Sequence, residues 1–160
     1  MSANKIFLDP DTLAPHIEEL KARGLMVVFA NGCFELLHVG HVRYLEAAKA
    51  LGDVLLVAVN SDESMARIKP DRRPVIPDVE RYELLAAFEM VDYVVPLVDM
   101  TPEALLRKFR PQIHTKGTDY TLTQIPERAV VEAYGGQVRL VGDPKNHSTT
   151  EMLRALRGRG

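Results

Sequence analysis

The sequence predicts an α/β fold, in which one domain is built on a five-stranded parallel sheet with helices on both faces. Two observations predict it: short apolar runs recur along the chain, and the segments between them carry apolar side chains at helical spacing. Because connections are short and strands alternate with helices throughout, we expect a doubly wound sheet whose strands are joined by helical crossovers. The predicted strands are 25–30, 53–60, 93–97, 112–116 and 137–141. The second is apolar almost throughout, and we expect it at the centre of the sheet.

The first predicted helix spans residues 11–23. Its apolar residues Leu13, Ile17 and Leu20 recur at helical spacing, and Gly24 follows as a stop signal. The helix precedes the first strand. We therefore predict that residues 1–24 form an N-terminal helical extension of a main domain over 25–160.

Six more helices are predicted beyond the first strand. They cover 41–51, a short stretch from about residue 61, 78–90, 101–109, 127–134 and the segment after residue 150. In the predicted helix over 78–90, we expect Leu84, Leu85 and Phe88 to be buried. Thr101 is the expected N-cap of its helix, with Pro102 in the first turn.

The composition is that of an ordinary globular protein and argues against several partners. Of the 160 residues, 46% are hydrophobic and 26% are charged, and the net charge of −2 gives no sign of binding to nucleic acid or to an anionic membrane. No apolar stretch approaches the roughly 20 residues that cross a bilayer, and the N-terminus is too acidic and too rich in proline for a signal peptide. Cys33 is the one cysteine, which excludes an intramolecular disulfide. We expect a cytoplasmic location.

The stretch between the first strand and the next helix is the first candidate for chemistry. Its sequence, ANGCFELLHVGHVRY, occupies residues 30–44 and joins a strand to a helix N-terminus. Unpaired amides and the helix dipole favour negative charge at such a place, so it suits a phosphate group. His38 and His41 lie three residues apart with Gly40 between them, a spacing that turns both imidazoles the same way. We predict that they bind nucleotide phosphates.

Other common sites for phosphate or metal are not favoured. The sequence has no GxxxxGK[ST] motif and no GxGxxG after the first strand, which argues against a P-loop NTPase and a dinucleotide-binding dehydrogenase. Zinc requires three or four suitable ligands. Cys33 is the sole thiol, and no HExxH lies near the two histidines.

A second candidate anion site lies where the last helix is predicted to begin. Ser148 and Glu151 have the S-x-x-E spacing of a capping box, and His147, Thr149 and Thr150 complete a polar cluster around them. A helix N-terminus rich in hydroxyl groups suits the outer phosphates of a triphosphate.

Lysines occur in two loops at the predicted carboxyl edge of the sheet, where ligands of such sheets bind. Lys116 ends the fourth strand, so its charge could offset that of a phosphate, and Asp119 could accept hydrogen bonds from a sugar or a base. Lys69 lies in a proline-rich loop beside Arg72 and Arg73. We interpret these two arginines as solvated charges.

Together, these residues resemble the HxGH nucleotidyltransferase superfamily. HVGH at 38–41 matches its signature, and HSTT at 147–150 matches its C-terminal motif. The segments NGCFELLHVGHVRYLEAAKALGD, VAVNSDES, RPVIPDVERYELLAAFEMVDYVV, KGTDY and VVEAYGGQV further resemble one branch, the heptose 1-phosphate adenylyltransferases. The resemblance runs from about residue 25 to about residue 157 and implies that 25–160 is a Rossmann-like nucleotidyltransferase domain.

The resemblance implies transfer of AMP from ATP to D-glycero-β-D-manno-heptose 1-phosphate, giving ADP-heptose and pyrophosphate for lipopolysaccharide or another heptose-bearing glycan. It also implies Mg²⁺, bound mainly through the ATP phosphates, and a homodimer. The implied catalytic residues are His38, His41 and Lys69. Those implied for nucleotide binding are Cys33, Phe34, Gly40, Arg81, Gly117, His147, Ser148, Thr149 and Thr150. Those implied for acceptor binding are Lys116, Asp119 and Tyr120.

Two departures from this branch affect the predicted site. Glu35 stands near the histidines where the branch usually has aspartate, and its side chain is longer. Thr118 stands where the branch usually has the second glycine of KGGDY, and His114 lies upstream of it. We expect the second change to affect the acceptor more than the reaction.

Other activities provide the alternatives. A cytidylyltransferase that uses CTP with glycerol 3-phosphate or another phospho-alcohol shares the fold and the HxGH signature, but its usual RTEGISTT motif has arginine where this chain has Asp143. Phosphopantetheine adenylyltransferases fit the loops less well, and the KMSKS loop of class I aminoacyl-tRNA synthetases is missing. The alternative from another class is a nucleotide-binding regulator without turnover, which would not need His38, His41 and Lys69 together.

Overall fold

Five parallel strands form a single sheet at the centre of the molecule, as the sequence predicts. The computed structural model describes residues 2–71, 73–118, 120–142 and 149–158. The strands are β1 (Val27–Gly32), β2 (Val54–Asn60), β3 (Tyr93–Leu97), β4 (Ile113–Gly117) and β5 (Gln137–Val141). Their order across the sheet is β3-β2-β1-β4-β5, and every neighbouring pair is parallel. The expectation of a central β2 is wrong, because β4 returns to the free side of β1.

Seven α-helices lie within the described residues. They are α1 (Pro10–Ala22), α2 (Val39–Lys49), α3 (Asp62–Ile68), α4 (Asp78–Ala86), α5 (Glu103–Phe109), α6 (Arg128–Ala133) and α7 (Thr149–Gly158). Ser61 caps α3, because its hydroxyl accepts a hydrogen bond from the Ser64 N–H at 3.1 Å. The expected Thr101 cap is wrong: α5 has Pro102 at its N-cap position and no side-chain cap.

The prediction for α4 is partly wrong. The helix ends at Ala86, and Leu84 is exposed, whereas Leu85 is buried as expected. The buried face instead includes Arg81 and Tyr82, which lie four and three positions before Leu85 and therefore share its side of the helix. A charged residue thus occupies a position that an apolar pattern does not identify.

Two hydrophobic clusters cover the two faces of the sheet. On one face α1, α5 and α6 pack against side chains that include Phe29 and Leu56, and on the other α2 and α4 pack against Val28 and Leu55. Alternate side chains of a strand point to opposite faces, so a strand covered on both faces needs apolar residues at nearly every position. All seven residues of β2 are buried accordingly.

The order of the strands creates a crevice beside the end of β1. From β1 the chain adds β2 and β3 on one side, and then it returns to add β4 and β5 on the other. The loops after β1 and β4 leave in opposite directions, and open α/β sheets bind ligands in the crevice between such loops. Residues 33–41, which we call the histidine loop, follow β1. Residues 118–127, which we call the β4–α6 loop, follow β4.

Candidate active site

The histidine loop leaves β1 through a sharp turn of the backbone. Phe34 has a φ of 50°, in the left-handed region that residues other than glycine adopt rarely, and its side chain is buried. Its ring covers Gly32, where an added Cβ atom would come within 3.2 Å of the ring. This packing holds Cys33 and Phe34, two predicted nucleotide-binding residues, against the end of β1.

His38 and His41 cap the N-terminus of α2 reciprocally. The Nδ1 atom of His38 accepts a hydrogen bond from the Gly40 N–H at 3.1 Å, and Nδ1 of His41 accepts one from the His38 N–H at 3.2 Å. The arrangement is a capping box in which imidazoles replace the usual hydroxyl and carboxylate groups. Because Nδ1 is the acceptor in both rings, the proton of each neutral imidazole lies on Nε2.

The two imidazole rings lie close together with their faces towards each other, and their spacing in sequence predicts that they are neighbours. Their centroids are 3.9 Å apart with 31° between the ring planes, and the Phe34 ring centroid lies 5.3 Å from that of His41. Rotation of either ring would break a capping hydrogen bond, so each Nε2–H keeps a fixed direction. Two oriented donors at the positive end of a helix dipole form an arrangement that stabilises an anion.

Lys69 is joined to the histidine loop through Glu35. The Glu35 side chain is only 2% exposed, and its Oε1 accepts a hydrogen bond from Lys69 Nζ at 2.8 Å. Lys69 directly follows α3, and its own side chain is 39% exposed. Glutamate at position 35, a departure from the resembled branch, therefore holds a cation beside the predicted phosphate site.

Arg81 lies beneath the site with a completely buried side chain. Its guanidinium donates to the carbonyl oxygens of Cys33, Asn60 and Ile76, at 2.6, 2.7 and 3.0 Å. It also pairs with Asp62 at 2.8 Å. These contacts tie the ends of β1 and β2 to the loop before α4, and they support the histidine loop through Cys33. Direct contact of Arg81 with a nucleotide stays a prediction.

A hydrogen-bonded chain that the sequence did not reveal joins α2 to β4. The Tyr44 hydroxyl lies 3.0 Å from both the carbonyl oxygen and the hydroxyl of Thr115, and the Thr115 hydroxyl donates to the Phe29 carbonyl at 3.1 Å. The helix that carries the histidines is thereby tied to the strand that leads to Lys116. No local pattern signals a contact between residues 71 positions apart.

Lys116 lies at the end of β4 in a cluster with two buried residues, His114 and Glu127, whose contact we did not predict. Lys116 Nζ is 3.2 Å from Glu127 Oε1 and 5.3 Å from the centroid of the Tyr120 ring. The same Oε1 is 3.0 Å from Nε2 of His114. Two predicted acceptor-binding residues, Lys116 and Tyr120, are thus brought together. The one sequence signal for the cluster is a histidine within a buried strand.

The remaining predicted residues are described in part. Four lie at or near the ends of regular elements: Gly40, Gly117, Thr149 and Thr150. The predicted start of the last helix is confirmed, since α7 begins at Thr149. Three predicted residues lie outside the described part of the chain: Asp119, His147 and Ser148.

Within the described ranges, no group of three or more histidine, cysteine, aspartate or glutamate side chains is placed to hold a metal ion. The carboxylate of the histidine loop, Glu35, is paired with Lys69. No helix in the same ranges combines the length and the apolar character that crossing a bilayer requires.

Comparison with known proteins identifies the family and agrees with the fold. The model of the cytidylyltransferase-like family matches residues 29–154, a range that contains both histidines and the start of α7. The chain therefore belongs to the cytidylyltransferase-like family. This match confirms the predicted nucleotidyltransferase superfamily.

Similar proteins include two from bacteria that carry the same name. The chain is 48% identical over 151 residues to the bifunctional protein HldE of Geobacter metallireducens, a match that covers 94% of this chain and 31% of that protein. It is 43% identical over 152 residues to the bifunctional protein HldE of Ectopseudomonas mendocina, covering 95% and 32%. This chain thus spans about a third of the length of these relatives.

A solved structure shares the fold. The lipopolysaccharide core biosynthesis protein from Thermoplasma volcanium matches with a TM-score of 0.64 and 28% sequence identity. The match covers 76% of this chain and 100% of that protein. The predicted Rossmann-like architecture is confirmed by this similarity and by the sheet itself.

Proposed function

We propose that this chain is an adenylyltransferase that transfers AMP from ATP to D-glycero-β-D-manno-heptose 1-phosphate, giving ADP-heptose and pyrophosphate. The observation that carries the proposal is the reciprocal capping of His38 and His41, which orients two Nε2–H donors at a helix N-terminus. The resemblance of the chain's motifs to heptose 1-phosphate adenylyltransferases supports the acceptor. Its similarity to a lipopolysaccharide core biosynthesis protein supports the pathway.

In this reaction an oxygen of the acceptor phosphate attacks the α-phosphorus of ATP in line. The new phosphorus–oxygen bond forms as the bond from the α-phosphorus to the bridging oxygen breaks, and pyrophosphate leaves with that electron pair. Negative charge develops on the α-phosphate oxygens, so oriented donors that face them lower the barrier without reorganising during the reaction. His38 and His41 supply such donors because the start of α2 already holds their rings.

The rest of the histidine loop binds the nucleotide in this proposal. The backbone amides of Cys33 and Phe34 donate to it, and Gly40 lets the ribose or base approach the helix start. Lys69, which Glu35 holds at the edge of the loop, steadies the phosphates. Gly117, at the end of β4, leaves similar room on the other side of the crevice.

The outer phosphates are proposed to lie at the beginning of α7. The residues assigned to them are His147, Ser148, Thr149 and Thr150. Mg²⁺, when bound with ATP, neutralises phosphate charge. The described site fits an ion held mainly by the phosphates, because its donors are imidazoles and an ammonium and its carboxylate is paired.

Pyrophosphate release tests the proposal directly. ATP and CTP are each assayed with the heptose 1-phosphate, with glycerol 3-phosphate and with other phosphorylated sugars and alcohols. We expect ATP with the heptose 1-phosphate to show the highest kcat/KM. CTP with glycerol 3-phosphate as the best pair would overturn the proposal in favour of a cytidylyltransferase. ATP binding without release from any pair would indicate a regulator.

Three further features stay predictions. They are the cytoplasmic location, the homodimer and the boundary between residues 24 and 25. The structure does describe how α1, which precedes this boundary, packs against the rest of the domain. Its residues Leu13, Ile17 and Leu20 belong to the same hydrophobic cluster as Phe29. Light scattering of the purified chain measures the oligomeric state.

A further inference from the structure

A buried charged cluster, formed by His114, Lys116 and Glu127, lies at the end of β4. His114 has no exposed surface, Glu127 is 4% exposed, and the Lys116 side chain is 17% exposed. A single carboxylate oxygen, Oε1 of Glu127, contacts both His114 Nε2 at 3.0 Å and Lys116 Nζ at 3.2 Å. Burial of a charged group is costly unless the group is paired and hydrogen-bonded, so this cluster requires a reason.

The charges within the cluster are well defined. Burial raises the pKa of Glu127, but the hydrogen bond from His114 and the charge of Lys116 outweigh it and lower that pKa to about 2. Burial lowers the pKa of His114, so its imidazole is neutral at neutral pH, with Nε2–H donating to Glu127. Glu127 is therefore a stable anion, and it pairs with the Lys116 ammonium at 3.2 Å.

The same contacts restrict where the ammonium can move. Lys116 Nζ lies between the Glu127 carboxylate and the Tyr120 ring, whose centroid is 5.3 Å away. A free lysine side chain loses rotamer entropy when it is fixed. A lysine that is already held loses less on binding an anion, and one of its three N–H donors is sufficient for that contact.

Glu127 also anchors the far end of the β4–α6 loop. It occupies the N-cap position of α6, and its bond to His114 brings it back to β4 across 13 positions. Tyr120, within this loop, is thereby kept near Lys116. Because β4 adjoins β1 at the crevice, the cluster lies on the side opposite the histidine loop.

We propose that His114 and Glu127 are positioning residues that hold the Lys116 ammonium for the phosphate of the acceptor sugar, and that they set acceptor affinity without touching the acceptor. The inference rests on the proposed function and on the predicted role of Lys116 in acceptor binding. It adds two residues from outside the predicted site. It also makes acceptor recognition depend on the tertiary contacts of Glu127 as well as on the KGTDY segment.

Steady-state kinetics with ATP and the heptose 1-phosphate test this inference. Glu127→Gln removes the charge that holds Lys116, and we expect the KM for the sugar phosphate to rise about tenfold. The KM for ATP and kcat should stay within about twofold of wild type. Glu132→Gln is the matched control, because Glu132 is an exposed carboxylate on α6 that pairs with Arg128. It should change none of these parameters.

Two variants of His114 separate hydrogen bonding from packing. His114→Leu fills the space without a donor, and we expect it to raise the same KM. His114→Gln restores an N–H donor and should return the KM toward the wild-type value. If the role of His114 were purely structural, both variants would change the KM for ATP and the KM for the sugar phosphate equally. That result would overturn the inference.

A double variant tests whether Glu127 acts through Lys116. In a Lys116→Met background, adding Glu127→Gln should produce no further rise in the KM for the sugar phosphate. A full additional rise would overturn the positioning role, as would a fall of the KM in Glu127→Gln alone. If wild type shows no turnover with these substrates, the proposed function fails and the inference fails with it. If wild type turns over and the positioning variants match it, only the inference fails.

Discussion

The two loops that flank the crevice are organised in opposite ways. In the histidine loop the decisive hydrogen bonds join residues two or three positions apart, from Gly40 to His38 and from His38 to His41. On the other side, the cluster around Lys116 depends on Glu127, which lies 13 positions from His114. The proposed catalytic donors therefore follow from local geometry, whereas the proposed acceptor side follows from packing. We therefore expect that substitutions distant in sequence can change acceptor binding and leave the reaction unchanged.

His38→Asn isolates the local region, and we expect the largest effect from it. Asparagine is a good N-cap, so its side-chain oxygen can accept the Gly40 N–H while the Nε2–H donor is lost. We expect kcat to fall about 10²- to 10³-fold, as on removal of an oriented donor. The free energy of unfolding should stay within about 0.5 kcal/mol of wild type. Pyrophosphate release and urea unfolding measure the two quantities.

His38→Ala provides the comparison, because it removes the cap and the donor together. It should show the same loss of kcat and a further loss of about 1 kcal/mol in the free energy of unfolding. His16 is the matched control: it is exposed in α1, where its ring is hydrogen-bonded to the Tyr93 hydroxyl, and His16→Ala should keep wild-type kcat. Wild-type turnover in His38→Asn would contradict the proposed donor role.

Acid should destabilise the fold through the cluster of His114, Lys116 and Glu127. Burial holds the pKa of His114 below its usual 6.5, so the unfolded chain takes up this proton first and stability declines as the pH falls below about 6.5. For Glu127, burial alone would raise the pKa. The contacts with His114 and Lys116 outweigh burial, and the pKa falls from 4.5 to about 2. The Glu127 carboxylate therefore contributes its full stabilisation above pH 4.5, and this stabilisation is lost as the pH falls toward 2.

Urea unfolding between about pH 7 and pH 3 measures this decline. His114→Leu should remove its upper part, and Glu127→Gln should remove its lower part. Glu132→Gln should keep the wild-type profile, since that carboxylate is exposed on the same helix. Identical profiles for wild type and Glu127→Gln would show that the buried carboxylate does not contribute to acid sensitivity.

Tyr44→Phe tests the connection between the two regions, and we expect the smallest effect from it. The change removes the hydroxyl that contacts Thr115 at 3.0 Å and keeps the ring. We expect the free energy of unfolding to fall by about 1 kcal/mol, the usual contribution of one hydrogen bond. A double-mutant cycle that combines Tyr44→Phe with Glu127→Gln should show a coupling energy of at least about 0.5 kcal/mol in acceptor binding. Additive effects would mean that the two regions act independently.

Local patterns predicted the elements well and their arrangement less well. All five strands and the start of α2 follow from apolar runs and from residues that favour helix termini. The central position of β1 did not follow, because sheet order depends on where β4 docks. The burial of Arg81 did not follow either, since it depends on carbonyl groups at the ends of two strands and in a distant loop.

By itself, the sequence determined the α/β class, the family and the histidine pair at the start of α2, because capping and strand burial depend on residues only a few positions apart. Only the tertiary structure decided that Arg81 supports the histidine loop, that Tyr44 reaches β4 and that Glu127 holds Lys116. Each of these contacts joins segments that meet only when the chain has folded. Each is at least partly buried, and a buried donor or charge requires its partner.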